Sequence, residues 1–252
     1  MRQLSCLVTG AGRGIGRAVA VGLAGEGHRV ALTARSADQL AETAVACGEA
    51  VTLVLPGDAT DPAHVESAYA EVERAWGAVD VLVANAGAGA TAPVAGTTDE
   101  QWQAMLDLNL TAPFRFLRRA IPGMVAQGFG RVVVLGSVAS KHGEPYIAAY
   151  TASKHGVLGL VRSAAAELAT KGVTVNAVCP GYVDTPMTDG TVEMIVGRTG
   201  RSYEEARGIL AAKQPIGRLV TAEEVAEAVL YCVRSGAVTG QGLNVDGGAV
   251  QS

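Results

Sequence analysis

Aromatic side chains are scarce in this 252-residue chain: two Trp, six Tyr and three Phe make up 4% of it. Charge is scarce as well. Charged residues are 17%, with 20 Lys and Arg against 24 Asp and Glu, so the net charge is −4. Such a balance offers no global field for nucleic acid or for an acidic membrane surface. The four cysteines, Cys6, Cys47, Cys179 and Cys232, form no CxxC pair and have no nearby Cys/His cluster. That argues against a zinc site, and no metal is expected; free thiols in a reducing compartment are the expectation. No run approaches the ~18 apolar residues of a membrane span. No basic segment followed by a long apolar stretch opens the chain, so a cytoplasmic protein is expected. Linkers, repeats and low-complexity blocks are missing too. Disorder is excluded, because 49% apolar residues can bury a core.

Glycine, by contrast, is abundant, at 32 residues. It follows no three-residue period, which excludes collagen. Short apolar runs at Leu4–Val8, Arg29–Thr33, Ala50–Leu55, Val79–Ala84, Arg131–Gly136, Val173–Val178 and Gly242–Val245 read as about seven strands. The first six are rich in Val, Ala or Leu without polar alternation, as in parallel strands covered on both faces. Helical stretches fall near 14–26, 37–47, 61–76, 99–127, 149–170 and 222–234. Pro62 suits a first helical position with Thr60 or Asp61 as cap, and Thr221 with Glu224 makes a capping box. This alternation predicts an α/β fold: one open, doubly wound parallel sheet with helices on both faces, in a single Rossmann-type domain over 1–252. Residues 181–216 break the rhythm and are expected to form an insertion with short helices, a substrate lid.

Thr9-Gly10-Ala11-Gly12-Arg13-Gly14-Ile15-Gly16 follows the first strand and opens a helix. Glycines there let the backbone approach a pyrophosphate, and the helix N-terminus adds free N–H groups and the positive end of its dipole. Further along, Tyr150 and Lys154 are four apart on a predicted helix and share a face. A neighbouring ammonium lowers a phenol's pKa, so the pair can give a proton to a carbonyl oxygen or take one from an alcohol.

The Thr-Gly-x-x-x-Gly-x-Gly spacing resembles the short-chain dehydrogenase/reductase family, and further motifs arrive in order along the whole chain. The resemblance implies that Thr9, Gly10, Gly12, Arg13, Gly14, Ile15 and Gly16 hold a nicotinamide dinucleotide. Asp58, beside Ala59, resembles the acid that contacts the adenine amino group. Asn85-Ala86-Gly87 is similar to the motif supporting the sheet beside the cofactor, although Ala84 stands where many members have another Asn. Pro180-Gly181 and Val183 resemble the segment beside the nicotinamide, and Thr185 the residue near its carboxamide. Ser137 matches the catalytic serine, which holds the substrate oxygen. Asn109 matches the helix asparagine that holds a water in a proton relay. With Tyr150 as general acid or base and Lys154 also on the nicotinamide ribose, the implied catalytic set is Asn109, Ser137, Tyr150 and Lys154.

The family's NAD-type acid would fall near Ala34, which cannot accept a hydrogen bond through its side chain. Arg35 follows it and Arg13 lies in the glycine turn, so NADP(H) is expected over NAD(H). The segment from Gly181 to Leu219 resembles 3-oxoacyl carrier-protein reductases, aromatic-polyketide ketoreductases and 3-hydroxybutyrate dehydrogenases. The expected substrate is a small-molecule ketone or acyl thioester, on coenzyme A or a carrier protein. An NAD(P)-dependent dehydrogenase of a small or cyclic secondary alcohol or a 3-hydroxyacyl or 3-hydroxybutyrate-type substrate, and a non-catalytic NADP(H) sensor, are the alternatives. Met187, Met194, Ile195 and Tyr203 either line an apolar pocket or pack the lid. Arg198, Arg201 and Arg207 are either solvated or meet a substrate-tail phosphate. His142 and Tyr146 are candidate pocket walls. The resemblance also implies a homotetramer, with no nucleic-acid or membrane partner.

Overall fold

In a computed structural model, which describes residues 2–48 and 51–251, seven strands form one sheet. They are β1 (Ser5–Thr9), β2 (Arg29–Ala34), β3 (Thr52–Pro56), β4 (Val81–Ala84), β5 (Gly130–Leu135), β6 (Val173–Pro180) and β7 (Gly242–Val245). Their order is β3-β2-β1-β4-β5-β6-β7 and every neighbouring pair is parallel. The order reverses between β1 and β4, so a crevice opens at the carboxyl ends of these strands.

The apolar runs show no alternation in sequence because both faces are covered. Alternation is present in space. Cys6 and Val8 of β1, with Val133 of β5, join a core that includes Val19, Leu23 and Val229. Leu7, Val132 and Val134 point to the opposite core, with Tyr69, Phe116 and Val161. The first core packs beneath α1 (Gly14–Gly25), α2 (Ala37–Cys47) and α9 (Ala222–Arg234). The second lies under α3 (Pro62–Trp76), α5 (Ala112–Ala126) and α6 (Ala148–Leu168). Asp61 caps α3 with Pro62 as its first residue, and Thr221 with Glu224 closes the box at α9.

Two expectations need correction. The continuous helix expected over 99–127 is interrupted: α4 (Asp99–Leu106) passes into a π-helical turn, Asp107–Thr111, before α5. The wider turn carries Asn109, whose side chain is buried, and such turns tend to sit at functional sites. Strand limits also shift by one or two residues; β6 runs on to Pro180, and Ala50, expected in β3, lies outside the described residues. Within 181–216 the chain forms α7 (Pro186–Thr199) and α8 (Tyr203–Ala212), which share a small core of Val192, Ala206, Leu210 and Leu219.

Candidate active site

At the carboxyl end of β1 the chain turns through Gly10 and Gly14, with φ of +64° and +54°, conformations that favour glycine. A side chain on Gly16 would run into the Gly10 carbonyl, so turn and helix can approach this closely only without one. Asn85, at the end of β4, fastens the turn: its Nδ2 donates to the carbonyls of Thr9 (2.9 Å) and Gly10 (3.1 Å). In return, Thr9 Oγ1 accepts from the backbone N–H groups of Asn85 (3.0 Å) and Ala86 (2.9 Å). From α2, Thr43 donates to the Ala11 carbonyl at 3.0 Å. The bare turn and the α1 N-terminus beginning at Gly14, near Thr185, fit the phosphates of a dinucleotide.

The next strand ends lie alongside. Gly57 N–H donates to the Ala34 carbonyl, which brings the chain just after β3 beside Arg35. Asp58 Oδ1 accepts from Thr60 N–H and Oγ1, both at 2.8 Å, and these bonds hold its carboxyl below the usual range, helped by the field of Arg35. Ala59 is half-buried against the second core. Arg13 and Arg35 are exposed, and neither makes an ion pair among the described residues.

Next to the glycine turn lies an open cleft of about 110 Å³. Ile15, Asn85, Gly87, Asn109, Ser137, Tyr150, Lys154, Pro180, Gly181, Val183 and Thr185 all line it, so eleven residues proposed from sequence meet in one cavity. Ser137 ends β5's excursion as the cap of a short 3₁₀ turn: its Oγ accepts from Ala139 N–H, while its own N–H donates to Ser140 Oγ. Tyr150 hydrogen-bonds with Ser137. One turn along α6, Lys154 is buried, with Nζ 2.7 Å from the Leu135 carbonyl to which it donates. Asn109 is clamped to the loop after β4: its Oδ1 accepts from Ala88 N–H (3.1 Å) and its Nδ2 donates to the Ala88 carbonyl (2.9 Å). A Cβ on Gly87 would lie 2.8 Å from Asn109 Oδ1 and 3.7 Å from Lys154 Nζ, so this glycine keeps the floor of the cleft open.

The electrostatics correct one expectation. From helix spacing alone, Lys154 should lower the Tyr150 pKa. In the structure, burial holds the Tyr150 phenol above its ordinary value, and the opposing influence is the hydrogen bond with Ser137. Lys154 is itself pushed down to about 8 by burial, and its Nζ lies 5.8 Å from the Tyr150 ring centroid. Desolvation is therefore the largest influence on both groups.

Lid residues divide. Met187 lines the cleft, whereas Ile195 packs in the lid core, Met194 Sδ accepts from Thr91 Oγ1, and Tyr203 donates to Asp189. Arg207 is held by Asp184 at 2.7 Å and lies 3.8 Å from Asp189, so it is not a free phosphate ligand; Arg198 and Arg201 are exposed. His142 lies against the Val138 carbonyl, and Tyr146, at φ +68°, faces a separate small recess with Thr91 and Met105 rather than the main cleft. Sequence reasoning passed over Gln214, which is buried at the end of α8. Its Oε1 accepts from Tyr182 N–H, and its Nε2 donates to the carbonyls of Tyr182 and Arg218, fixing the chain beside Gly181. A buried amide gives no periodic signal. Its place in Gln214-Pro215-Ile216-Gly217-Arg218 was the available hint.

Known proteins resemble this chain over nearly its whole length. The chain is 41% identical over 251 residues to granaticin polyketide synthase putative ketoacyl reductase 1 of Streptomyces violaceoruber, covering 96% of this chain and 91% of the relative. It is 37% identical over 247 residues to the 3-oxoacyl-acyl-carrier-protein reductase FabG of Escherichia coli strain K12, covering 96% and 95%. Among solved structures, an actinorhodin polyketide ketoreductase variant with NADPH superposes with a TM-score of 0.94 at 40% identity, covering 98% of this chain and 97% of that one. Levodione reductase superposes at 0.92 with 30% identity, covering 98% of each. The short chain dehydrogenase family model matches residues 5–195, and with the seven-stranded parallel sheet and the cleft at its switch point the chain belongs to that family of oxidoreductases.

Proposed function

We propose that this protein uses NADP(H) to reduce a 3-oxoacyl thioester or polyketide ketone to the secondary alcohol. The observation that carries this reading is the meeting of Ser137, Tyr150, Lys154 and Asn109 in one cleft beside a glycine cradle. Both ketoreductase relatives and the NADPH-bound structural neighbour support the substrate class and the nucleotide. The glycine turn, Asn85-Ala86-Gly87 and the segment from Pro180 to Thr185 would hold the dinucleotide. Exposed Arg13 and Arg35 would meet a 2′-phosphate, which Ala34 cannot discourage by charge. When bound, the nicotinamide supplies the hydride in reduction and accepts it in oxidation.

The chain's own residues handle the oxygen and its proton. Ser137 Oγ orients and polarises the substrate carbonyl. Tyr150 is kept as a neutral phenol by burial and aligned by its hydrogen bond with Ser137, so it delivers a proton to the oxygen as negative charge develops there. Lys154, with a pKa near 8, holds a transferable proton near neutral pH and can replenish Tyr150. Asn109, clamped to Ala88 by the π-helical turn, keeps the floor beside Lys154 polar for a water that leads to solvent.

NADPH absorbance should fall when the protein meets a panel of acyl thioesters, esters and free ketones, with thioesters fastest. A protein that binds NADPH but reduces no member of the panel would be a sensor, and the reading would fail. The same reading has the molecule cytoplasmic, supported by four free cysteines, and homotetrameric. Exposed Trp102 on α4 and Phe114 on α5 support an interface there. A monomer at micromolar concentration in sedimentation would refute the tetramer. No helix among the described residues is long and apolar enough to cross a membrane.

A further inference from the structure

Outside the catalytic set, one group of ionisable side chains lies beside the cleft, with Tyr182 close enough to act electrostatically on Tyr150. Glu144 lies in the segment joining Ser137 to Tyr150, and its carboxylate is only 22% exposed. Lys213 Nζ, just after α8, donates to Glu144 Oε2 at 2.8 Å and lies 3.1 Å from the Tyr182 hydroxyl. Tyr182 in turn donates to Glu144 Oε2 at 3.0 Å. Its neighbours in sequence, Gly181 and Val183, both line the cleft. His142 Nε2 completes the group, 3.7 Å from Glu144 Oε1. The cluster thus ties the lid to the catalytic segment and leaves one carboxylate oxygen with no donor closer than His142 among the described residues.

The surrounding cations are occupied. Lys141 donates to the Gly242 carbonyl, Lys154 to the Leu135 carbonyl, and Arg207 pairs with Asp184. Arg201 lies in the field of Glu205, and Arg198 stands twelve residues along α7 from Pro186, ~18 Å at the rise of an α-helix. A substrate bearing a free carboxylate would therefore meet an ionised Glu144 and no spare cation. Like charges placed together at a recognition site discriminate strongly.

We propose that Glu144 is a specificity-determining residue: by holding Lys213 and presenting its own charge beside the cleft, it selects neutral 3-oxo esters and thioesters against free 3-oxo acids. This rests on the reductase reading above and names the chemistry the same site rejects. Glu144 is held ionised by Lys213 and the Tyr182 hydroxyl against the effect of burial, so the barrier persists at neutral pH.

The test compares kcat/KM for a 3-oxo acid and its ethyl ester, with NADPH, in the wild type, Glu144→Gln, Lys213→Met and the double variant. The acid-to-ester ratio should rise about tenfold in Glu144→Gln, because a repelling charge is removed and Lys213 is freed. The double variant should lose most of that gain. Lys213→Met alone should lower the ratio below wild type, since Glu144 is then uncovered; this arm stands even if Glu144→Gln fails to fold. A ratio unchanged in Glu144→Gln, a gain that survives loss of Lys213, or a ratio raised by Lys213→Met each overturns the proposal while leaving the reductase reading intact. A wild type that reduces neither compound at any concentration overturns that reading itself.

Discussion

Replacing Thr9 by Val probes the junction between the glycine turn and β4. Thr9 is buried, at 2% exposure, and its Oγ1 accepts from two backbone donors, Asn85 N–H and Ala86 N–H. Valine keeps the shape and removes the acceptor, leaving both donors without it. Each unsatisfied buried donor costs about 1–3 kcal/mol, and because Asn85 and Ala86 are half-buried the lower half of that range applies, about 3 kcal/mol for the pair. For a chain of this size 1 kcal/mol corresponds to about 2–4 °C in Tm, so a loss of about 6–12 °C is expected. Thr9→Ser keeps the acceptor and loses one buried methyl, worth about 1 kcal/mol. Thermal unfolding of both variants decides the matter, with NADPH titration as a second readout, since the turn and Asn85 would loosen together. A Thr9→Val protein as stable as Thr9→Ser would refute the role assigned to these two hydrogen bonds.

Tyr150→Phe should cut turnover by about 10³ while NADPH affinity, read by fluorescence titration, stays within about threefold, because only the proton donor is lost. Arg35→Ala should raise the KM for NADPH about tenfold, equivalent to one charge-assisted contact, and leave that for NADH nearly unchanged; equal effects on both would remove Arg35 from the 2′-phosphate site. Lys154 makes stability depend on pH. Burial lowers it from 10.5 to about 8, so between those values the unfolded chain holds a proton that the folded one has released. Stability should therefore rise with pH across that window, by up to about 3 kcal/mol, in the wild type without nucleotide relative to Lys154→Met. Denaturant titrations from pH 7 to pH 10 check this, and a flat difference would contradict the buried ammonium.

Much of the site was legible locally. Glycines at alternate positions from Gly10 to Gly16 mark a strand-to-helix turn, and Tyr150 and Lys154 share a face of α6 because four residues make about one turn. The capping residues Asp61 and Thr221 announced their helices for the same reason: the groups they satisfy lie within three residues. Arg207 failed as a free cation because Asp184 and Asp189, 18 or more positions earlier, meet it only once α7 folds against α8.

By itself the sequence determined the alternation of strand and helix, the glycine turn and the shared helix face of Tyr150 and Lys154. These depend on periods and spacings that a short stretch of chain carries within it. The tertiary structure decided the rest. It set the π-helical turn at Asn109, the burial that raises Tyr150 and lowers Lys154, and the joining of Glu144 to Lys213 across 69 positions. Desolvation and long-range pairing are properties of what surrounds a side chain, and those surroundings exist only when distant segments pack together.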